Sequence, residues 1–520
     1  MEPSYEELAA RVVELTALLD ATTEGLRRAA EAIADANATV EQAHRRLEQA
    51  DARIVALESE VAALRARVGK DSTNSSTPPS ADSPAAKAKR KAVRSQRVRS
   101  SDRKRGGQPG RKGSGLTPTQ DPDRTERVAV ASECAGCGSD LADGKDVGDS
   151  WGQVWDILPV AWEKVHYVLG RRRCACCGTL STATPPFGQA GAVVYGPNVN
   201  AAAILLSSQG NVPVEATAQM MEALLGAKVS TGFVARAHER LAETLDRAGF
   251  DNAMVTALRA EGVLCADETP VNVVDNVDDD GHPAAGSPHV VTVRTPDERL
   301  VWYADVTARS SAQIKDLGVF DGWHGVLVRD DYAGYHQFDA TLGGVQQCCS
   351  HVLRHLDYVA GLDADNKVWA EQAARSLKAA AKLIDQATTT DTDINAEALA
   401  TARQRYDQAV LVGISDNLSR PWHNGNHPGL VLARRLQNKA DEVWLFTKDT
   451  RAPWTNNASE RALKAPKLHQ KVSGYWQTTL TLSRYCRVRS YLVSARNHGV
   501  RAIDATRAAL AGNPWLPATA

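Results

Sequence analysis

No stretch of the sequence approaches the roughly 18 consecutive apolar residues that a membrane-spanning helix needs. The first residues, MEPSYEELAARVVEL, are acidic and amphipathic, without the basic and apolar blocks of a secretory signal. These two absences predict a cytoplasmic protein with no membrane partner. Cysteine is scarce and odd in number, nine in 520 residues, which does not suit a disulfide framework. Net charge is nearly absent as well: 61 basic and 62 acidic residues leave −1, a balance that argues neither for nor against nucleic acid. The informative absence is local. Between residues 451 and 500, nine Lys or Arg accompany a single acid, Glu460, and between 69 and 115 thirteen accompany three Asp. Basic blocks inside a neutral chain are electrostatic footprints for a polyanion.

What is present is the composition of a globular protein, 43% hydrophobic and 24% charged, in a chain sized for about three domains. Residues 4–68 read as a coiled coil for oligomerisation. The a positions are Tyr5, Val12, Leu19, Leu26, Ile33, Val40, Leu47, Ile54, Val61 and Val68, all apolar, and the d positions run Leu8, Leu15, Thr22, Ala29, Ala36, Ala43, Ala50, Leu57 and Leu64. A heptad sustained this long imposes a supercoil. The alternative is a long helix folded back on its own domain. Residues 69–124 form a basic linker rich in Pro, Ser and Gly, with nothing to build a core from. Its Arg103, Lys104, Arg105, Arg111 and Lys112 suit DNA phosphates, whose neutralisation releases counterions.

Residues 125–190 contain Cys134-Ala-Gly-Cys137-Gly and Cys174-Ala-Cys-Cys177-Gly. Each pair reads as a knuckle turn, with Gly permitting the tight turn that aims both thiolates at one ion. Cys134, Cys137, Cys174 and Cys177 are therefore the expected ligands of one structural Zn²⁺, with Cys176 as a register competitor. The intervening VGDSWGQVWDILPVAWEKVHYVLGRRRC alternates as strands do. Residues 191–255 read as helices broken near Gly226, with Ser230 or Thr231 as a cap, a pattern compatible with a helix-turn-helix.

From 256 the pattern turns to short strands whose ends carry acids: Asp267 and Glu268 in LCADETP, then Asp330 and Asp331 in VLVRDDYAGY. Glu460 follows at the start of a late helix. Carboxylates converging from separate elements suit divalent ions that activate an attacking oxygen and stabilise a leaving one. Each acid also has an ordinary reading. The strand-end pairs fit solvated turns, with neighbours on opposite faces, and Asn457-Ala-Ser-Glu460 fits a reciprocal capping box. Helical periodicity fills 365–445.

Several stretches carry a family resemblance, in order along nearly the whole chain. They are DSTNSSTPPSADSP, RGGQPGRKG, the paired CxxC module, YGPNVNAAAILL, ADETPV, VRDDYAGYHQF, CSHVLRHL and NNASERALKAPKLHQKVSG. The chain resembles the bacterial insertion-sequence-sixty-six family of DDE transposases. That resemblance implies a multidomain α+β protein: coiled coil, small zinc-binding β module, helical DNA-binding region, and a ribonuclease-H-like α/β catalytic core at 256–364 and 446–512 around the helical insertion at 365–445. It implies Asp267, Asp330 and Glu460 as a triad holding two Mg²⁺ (or Mn²⁺) ions. Arg461, Lys464, Lys467 and Lys471 would grip DNA. It further implies strand cleavage and strand transfer at transposon ends and target DNA, an oligomer of at least two chains, helper proteins from the same element, and a nucleoid-associated bacterial setting. Asp331 departs from the family, which usually has Gly there, and Lys464 replaces a more usual Arg. Cys349 and His351 resemble the family's Cys-x-His stretch, for which a packed helix is the simpler reading. The alternatives are a transposase-derived DNA-binding protein that no longer cuts, or a partner-dependent nuclease of the same fold.

Overall fold

The computed structural model describes residues 4–71, 82–88, 117–156, 160–184, 193–275, 286–423 and 425–518. Arg103, Lys104, Arg105, Arg111 and Lys112 lie outside them. Helix α1 spans Tyr5–Val68. Its start is fixed by a capping box: Glu7 N donates to Ser4 Oγ (3.3 Å), and Ser4 N donates to Glu7 Oε2 (2.9 Å). The helix does not fold back. Only its last turns touch the body, through Ala63 and Ala66, with Tyr358 Oη donating to the Ala66 carbonyl at 3.3 Å.

In the cysteine module, β1 (Arg171–Arg173) pairs antiparallel with β2 (Leu180–Thr182). The expected alternation over 147–170 does not become sheet among the described residues. Val147, Trp151, Val154, Trp155 and Val168 remain exposed, because alternation yields a strand only where a neighbouring strand completes the ladder.

Helices α2 (Pro197–Ile204), α3 (Val214–Leu225), α4 (Thr231–Arg247) and α5 (Phe250–Arg259) follow. The break falls where expected: Gly226 ends α3 at φ 64°, and Ser230 Oγ accepts from Phe233 N at 3.1 Å to open α4. These helices are not a separate unit. Leu241, Leu245, Phe250, Met254 and Leu258 share one core with Leu264, Val291, Trp302, Leu327 and Tyr491. The outer acids of α4 are held by later arginines, Glu239 by Arg484 (2.7 Å) and Asp246 by Arg487 (2.8 Å). This second helix of the expected helix-turn-helix is thus a wall of the core, with Arg236, Glu243, Asp246 and Arg247 exposed on its outer side.

The central sheet comprises β3 (Val263–Pro270), β5 (His289–Arg294), β6 (Val301–Val306), β7 (Val326–Arg329) and β8 (Gly344–Gln347) in the order β6-β5-β3-β7-β8. β5 pairs antiparallel with both β6 and β3, whereas β3, β7 and β8 run parallel. Helix α6 (Ser311–Asp316) lies between β6 and β7, and β4 (Val273–Asp275) leaves the sheet to pair with a late strand. Helix α7 (Cys349–Ala360) then leads into the expected helical insertion of α8 (Ala364–Thr390), α9 (Ala396–Asn417), α10 (Pro428–Asn438) and α11 (Ala440–Val443). The insertion has its own core around Trp369, Leu377, Tyr406, Leu436 and Trp444. Cys349 is buried in it with Sγ 3.5 Å from the Val443 carbonyl, so the Cys-x-His stretch packs as a helix face.

The chain closes with α12 (Asn457–Ala462), α13 (Lys464–Val472), β9 (Trp476–Thr478), α14 (Thr479–Asn497) and α15 (Ala502–Leu510). The β6 edge is covered by this late chain, and β8 meets the end of the insertion and the residues just after it. At β6, Val301 N donates to Ser494 Oγ (3.0 Å) and Tyr303 N to Ser490 Oγ (2.7 Å), and both hydroxyls return a bond to the same strand's carbonyls. At β8, Gln346 receives Phe446 N at 2.7 Å and donates to the Val443 carbonyl at 3.2 Å. Serine is the residue that lets a helix lie on an edge strand without orphaning its amides. Ser490→Ala and Ser494→Ala are each expected to destabilise the protein by about 1–3 kcal/mol, read as a lower urea midpoint at unchanged slope.

Candidate active site

Strand β3 is central because its Val-Leu-Cys-Ala run is buried on both faces, and its C-terminal end delivers Asp267 and Glu268 to opposite sides. Asp267 pairs in register with Thr292, and Glu268 with Val291. Glu268 drops to the core side with its side chain only 2% exposed. There Tyr335 Oη donates to it at 2.8 Å, and Arg309 Nε at 2.7 Å. Asp267 turns toward α12. Its carboxyl is raised well above the usual range, first by burial and then by Glu268, Asp330 and Glu460 in that order. Carboxylates from three separate elements therefore all act on Asp267.

The neighbours Asp330 and Asp331, just past the end of β7, part company. Asp330 stays with the cluster: its Oδ2 lies 3.7 Å from Arg309, and its Oδ1 accepts from Tyr332 N at 3.0 Å. Asp331 faces the insertion, where Lys439 meets it at 2.6 Å and Arg435 at 3.7 Å. Burial would raise its carboxyl, yet Lys439 and Arg435 hold it below the usual range. The acid that departs from the family pattern thus binds α10 and its C-cap to the end of β7.

Glu460 arrives on α12 by a specific route. Asn456 Nδ2 donates to the Ala266 carbonyl at 2.6 Å, one residue before Asp267, and Asn456 N donates to Cys348 Sγ at 3.2 Å. The buried Arg294 holds Ser459 Oγ at 3.1 Å from β5. The reciprocal capping box is not formed. Asn457 Oδ1 instead accepts from Ser350 Oγ at 2.9 Å, and Glu460 Oε1 accepts from Arg354 Nη2 at 2.6 Å. His351 Nε2 lies 3.9 Å from Glu460, and burial, then Arg354, lowers its imidazole pKa.

Among the expected DNA contacts, Arg461 pairs with Glu298 at 2.9 Å and Lys467 donates to the Pro270 carbonyl. Lys464 and Lys471 are exposed and make no ion pair among the described residues. Cationic residues that sequence reasoning missed sit closer to the acids. Arg354 was within reach of inspection: it lies one turn after His351 in CSHVLRHL, hence on the same helix face. Arg309 had no local signal, because it comes from the turn after β6 and is fixed by stacking 3.6 Å over the Tyr332 ring.

The two cysteine turns are alike. Cys134 N donates to Ser139 O (2.8 Å) and Gly138 N to Cys134 O (2.8 Å). The corresponding bonds at Cys174 are 2.9 and 3.0 Å. Gly138 and Gly178 sit at φ 74° and 72°, which glycine permits. Thr179 leads the interactions that bring Cys177 down to about 7, and Ser139 likewise lowers Cys137. Cys177 and Cys137 also make matching contacts, with Thr179 Oγ1 at 3.2 Å and Ser139 Oγ at 3.4 Å. Among the described residues, no three His, Cys, Asp or Glu side chains are gathered at ligand distance, at the cysteines or at the acids.

A family model described as Transposase IS66 family matches residues 192–482, more than half of the chain. The chain belongs to that family. A second model, described as a family of unknown function (DUF6444), matches residues 5–117, and no curated protein matches. The transposase match runs from α2 through the first turn of α14, so it includes every acid of the cluster. Among the described residues no helix is long and apolar enough to cross a membrane.

Asp267 gives a sign that can be checked. Its raised pKa means the folded protein holds a proton that the unfolded chain has already released, in the window above the ordinary carboxylate pKa. Without divalent ions, stability therefore falls as pH rises through that window. Asp267→Asn is expected to melt at least about 2 °C higher than the parent at pH 7.5 in chelator, the shift that ~1 kcal/mol gives a domain of this class. It should also lose any stabilisation by Mn²⁺.

Proposed function

We propose that the protein is a DDE transposase that cleaves and joins DNA strands with Asp267, Asp330 and Glu460 as its catalytic carboxylates. The observation that carries this reading is the convergence of those acids from β3, the end of β7 and α12, with Arg309 joining Glu268 to Asp330 and Asn456 joining the start of α12 to Ala266, in a chain of a transposase family. The strand order, with three antiparallel strands followed by two parallel ones and β3 at the centre, supports a ribonuclease-H-like core. Crowded like charges held in place by the fold fit a site for cations. Asp267, Asp330 and Glu460 would hold two Mg²⁺ or Mn²⁺ ions. Once bound, these would supply the positive charge that activates an attacking oxygen and stabilises a leaving one.

The chain's own residues have separable tasks. Glu268, tied to Tyr335 and Arg309, anchors the end of β3 so that Asp267 faces α12. Arg309 lies beside Asp330, where a guanidinium can contact a phosphate oxygen. Arg354 holds Glu460 in its present orientation and must yield it when the carboxylate takes up a cation. Lys464 and Lys471 are free to meet the DNA backbone, whereas Arg461 and Lys467 would first leave Glu298 and the Pro270 carbonyl. No covalent enzyme intermediate is invoked, so Tyr332, Tyr335 and Ser473 need not attack. The substrates are transposon ends and target DNA, and the working form has at least two chains. Cys134, Cys137, Cys174 and Cys177 would hold one structural Zn²⁺, a donor set of four thiols leaving no open position.

The test is strand nicking of supercoiled plasmid carrying the element's ends, in Mg²⁺ or Mn²⁺. Asp267→Ala, Asp330→Ala and Glu460→Ala should each lower nicking by at least about 10³-fold while DNA binding persists, a loss typical of removing a main electrostatic contributor. Asp331→Ala should retain cutting. If Glu460→Ala cuts like the parent, the triad is wrong. Tight binding without cutting by the parent would favour the DNA-binding alternative, and cutting without joining the partner-dependent nuclease. Metal analysis should find one zinc per chain, lost in Cys134→Ser and Cys174→Ser.

A further inference from the structure

Helix α1 leaves an unpartnered apolar seam. Its a positions are 43% (Val61) to 88% (Tyr5) exposed, and Leu8, Leu15, Leu57 and Leu64 are exposed beside them. An apolar stripe of this length is far outside what a monomer's surface carries. The contact with the body uses a different face. Ala63 and Ala66 occupy c and f positions, so the seam points away from α7 while the end of the helix is held on it.

The charges flanking the seam identify what covers it. Apart from Arg67, a g residue with no e position five places on within α1, the last charged g and e positions are Arg46, Asp51, Arg53, Glu58, Glu60 and Arg65. None of these six makes an ion pair with another described residue. The helix's intrahelical pairs, Arg27–Glu24, Arg27–Glu31, Arg28–Glu24 and Arg45–Glu41, all lie on b, c and f positions, facing outward. In a parallel, in-register pair of helices each g residue meets the e residue five places on in the other chain. That geometry brings Arg46 to Asp51, Arg53 to Glu58, and Glu60 to Arg65, every contact attractive and each made twice by symmetry. An antiparallel pair at full overlap would instead lay these charges along the N-terminal half. There the e and g residues are Ala9, Thr16, Leu18, Thr23, Gly25, Ala30, Ala32, Asn37 and Thr39, with Arg11 the sole charge. Packing agrees: Val12, Ile33, Val40, Ile54, Val61 and Val68 put β-branched side chains at a, and the outer d layers are Leu, the combination that favours two parallel strands.

We propose that residues 5–68 pair with a second copy of the chain as a parallel, in-register, two-stranded coiled coil. Because each α1 ends on its own α7, which also carries His351 and Arg354 beside Glu460, this pairing sets both catalytic bodies at the same end of the coil. The interface rests on α1 alone and does not depend on the cutting chemistry.

The experiment uses the full chain, which has no cysteine before Cys134. Leu15→Cys and Leu57→Cys are prepared singly and oxidised, with the parent as background. Light scattering is expected to give the mass of two chains, and each single variant should form a disulfide-linked dimer mapped to the new cysteine. Reversing the g charges (Arg46→Glu, Arg53→Glu, Glu60→Arg) should weaken the dimer at least about tenfold. Adding Asp51→Arg, Glu58→Arg and Arg65→Glu should restore it, while helicity by circular dichroism stays unchanged. A monomer, a larger assembly, or cross-linking only when Val12→Cys is mixed with Leu57→Cys would overturn the proposal. So would charge reversal without effect.

Discussion

Four carboxylates at one end of a sheet repel, and the rest of the core is arranged around that repulsion. Burial, then Glu268, Asp330 and Glu460, make Asp267 harder to charge, and burial, then Asp330, does the same to Glu268. Two arginines relieve part of it, Arg309 against Glu268 and Asp330, and Arg354 against Glu460. Asp331 is excluded from the cluster by Lys439 and Arg435. A like-charge cluster of this kind persists only where the backbone around it is overdetermined. Here Tyr335, Asn456 and Arg294 supply that constraint by fixing Glu268, the start of α12 and Ser459.

The second constraint is the order in which the chain completes its sheet. Strands β3 to β8 lie within 263–347, yet both edges are sealed by residues 443–494. The chain between folds around its own core, centred on Trp369 and Tyr406. Glu460 sits inside the sealing segment. Just before it, Asn456 bonds the Ala266 carbonyl, so the segment that covers β6 also meets the central strand beside Asp267. Asp331 contributes from the other side by fastening the insertion to the end of β7.

The helical region before the sheet shows how context overrides a local pattern. Its break at Gly226 and cap at Ser230 form as local chemistry dictates, yet the second helix is a core wall that shares Leu241 and Leu245 with the sheet. At the cysteines the opposite holds, since each knuckle is determined within five residues by a glycine at positive φ. Alternation between the knuckles produced no strands, because a ladder needs a partner that the local sequence does not supply.

The sequence by itself determined the elements whose causes are local. These are the uninterrupted heptad of 5–68 and its flanking charges, the two knuckles, the helices of the insertion, and the strand-end position of Asp267 and Asp330. The motifs resemble those of the family to which the chain belongs. Only the tertiary structure decided the rest. It separated Asp330 from Asp331, because the choice depends on Lys439, more than one hundred residues away. It drew Glu460 to Arg354 instead of its own helix end, and revealed Arg309, Tyr335 and Arg294 as the neighbours that hold the acids. Those interactions join residues distant in the chain, and no periodicity or spacing records where a sheet and a late helix will meet.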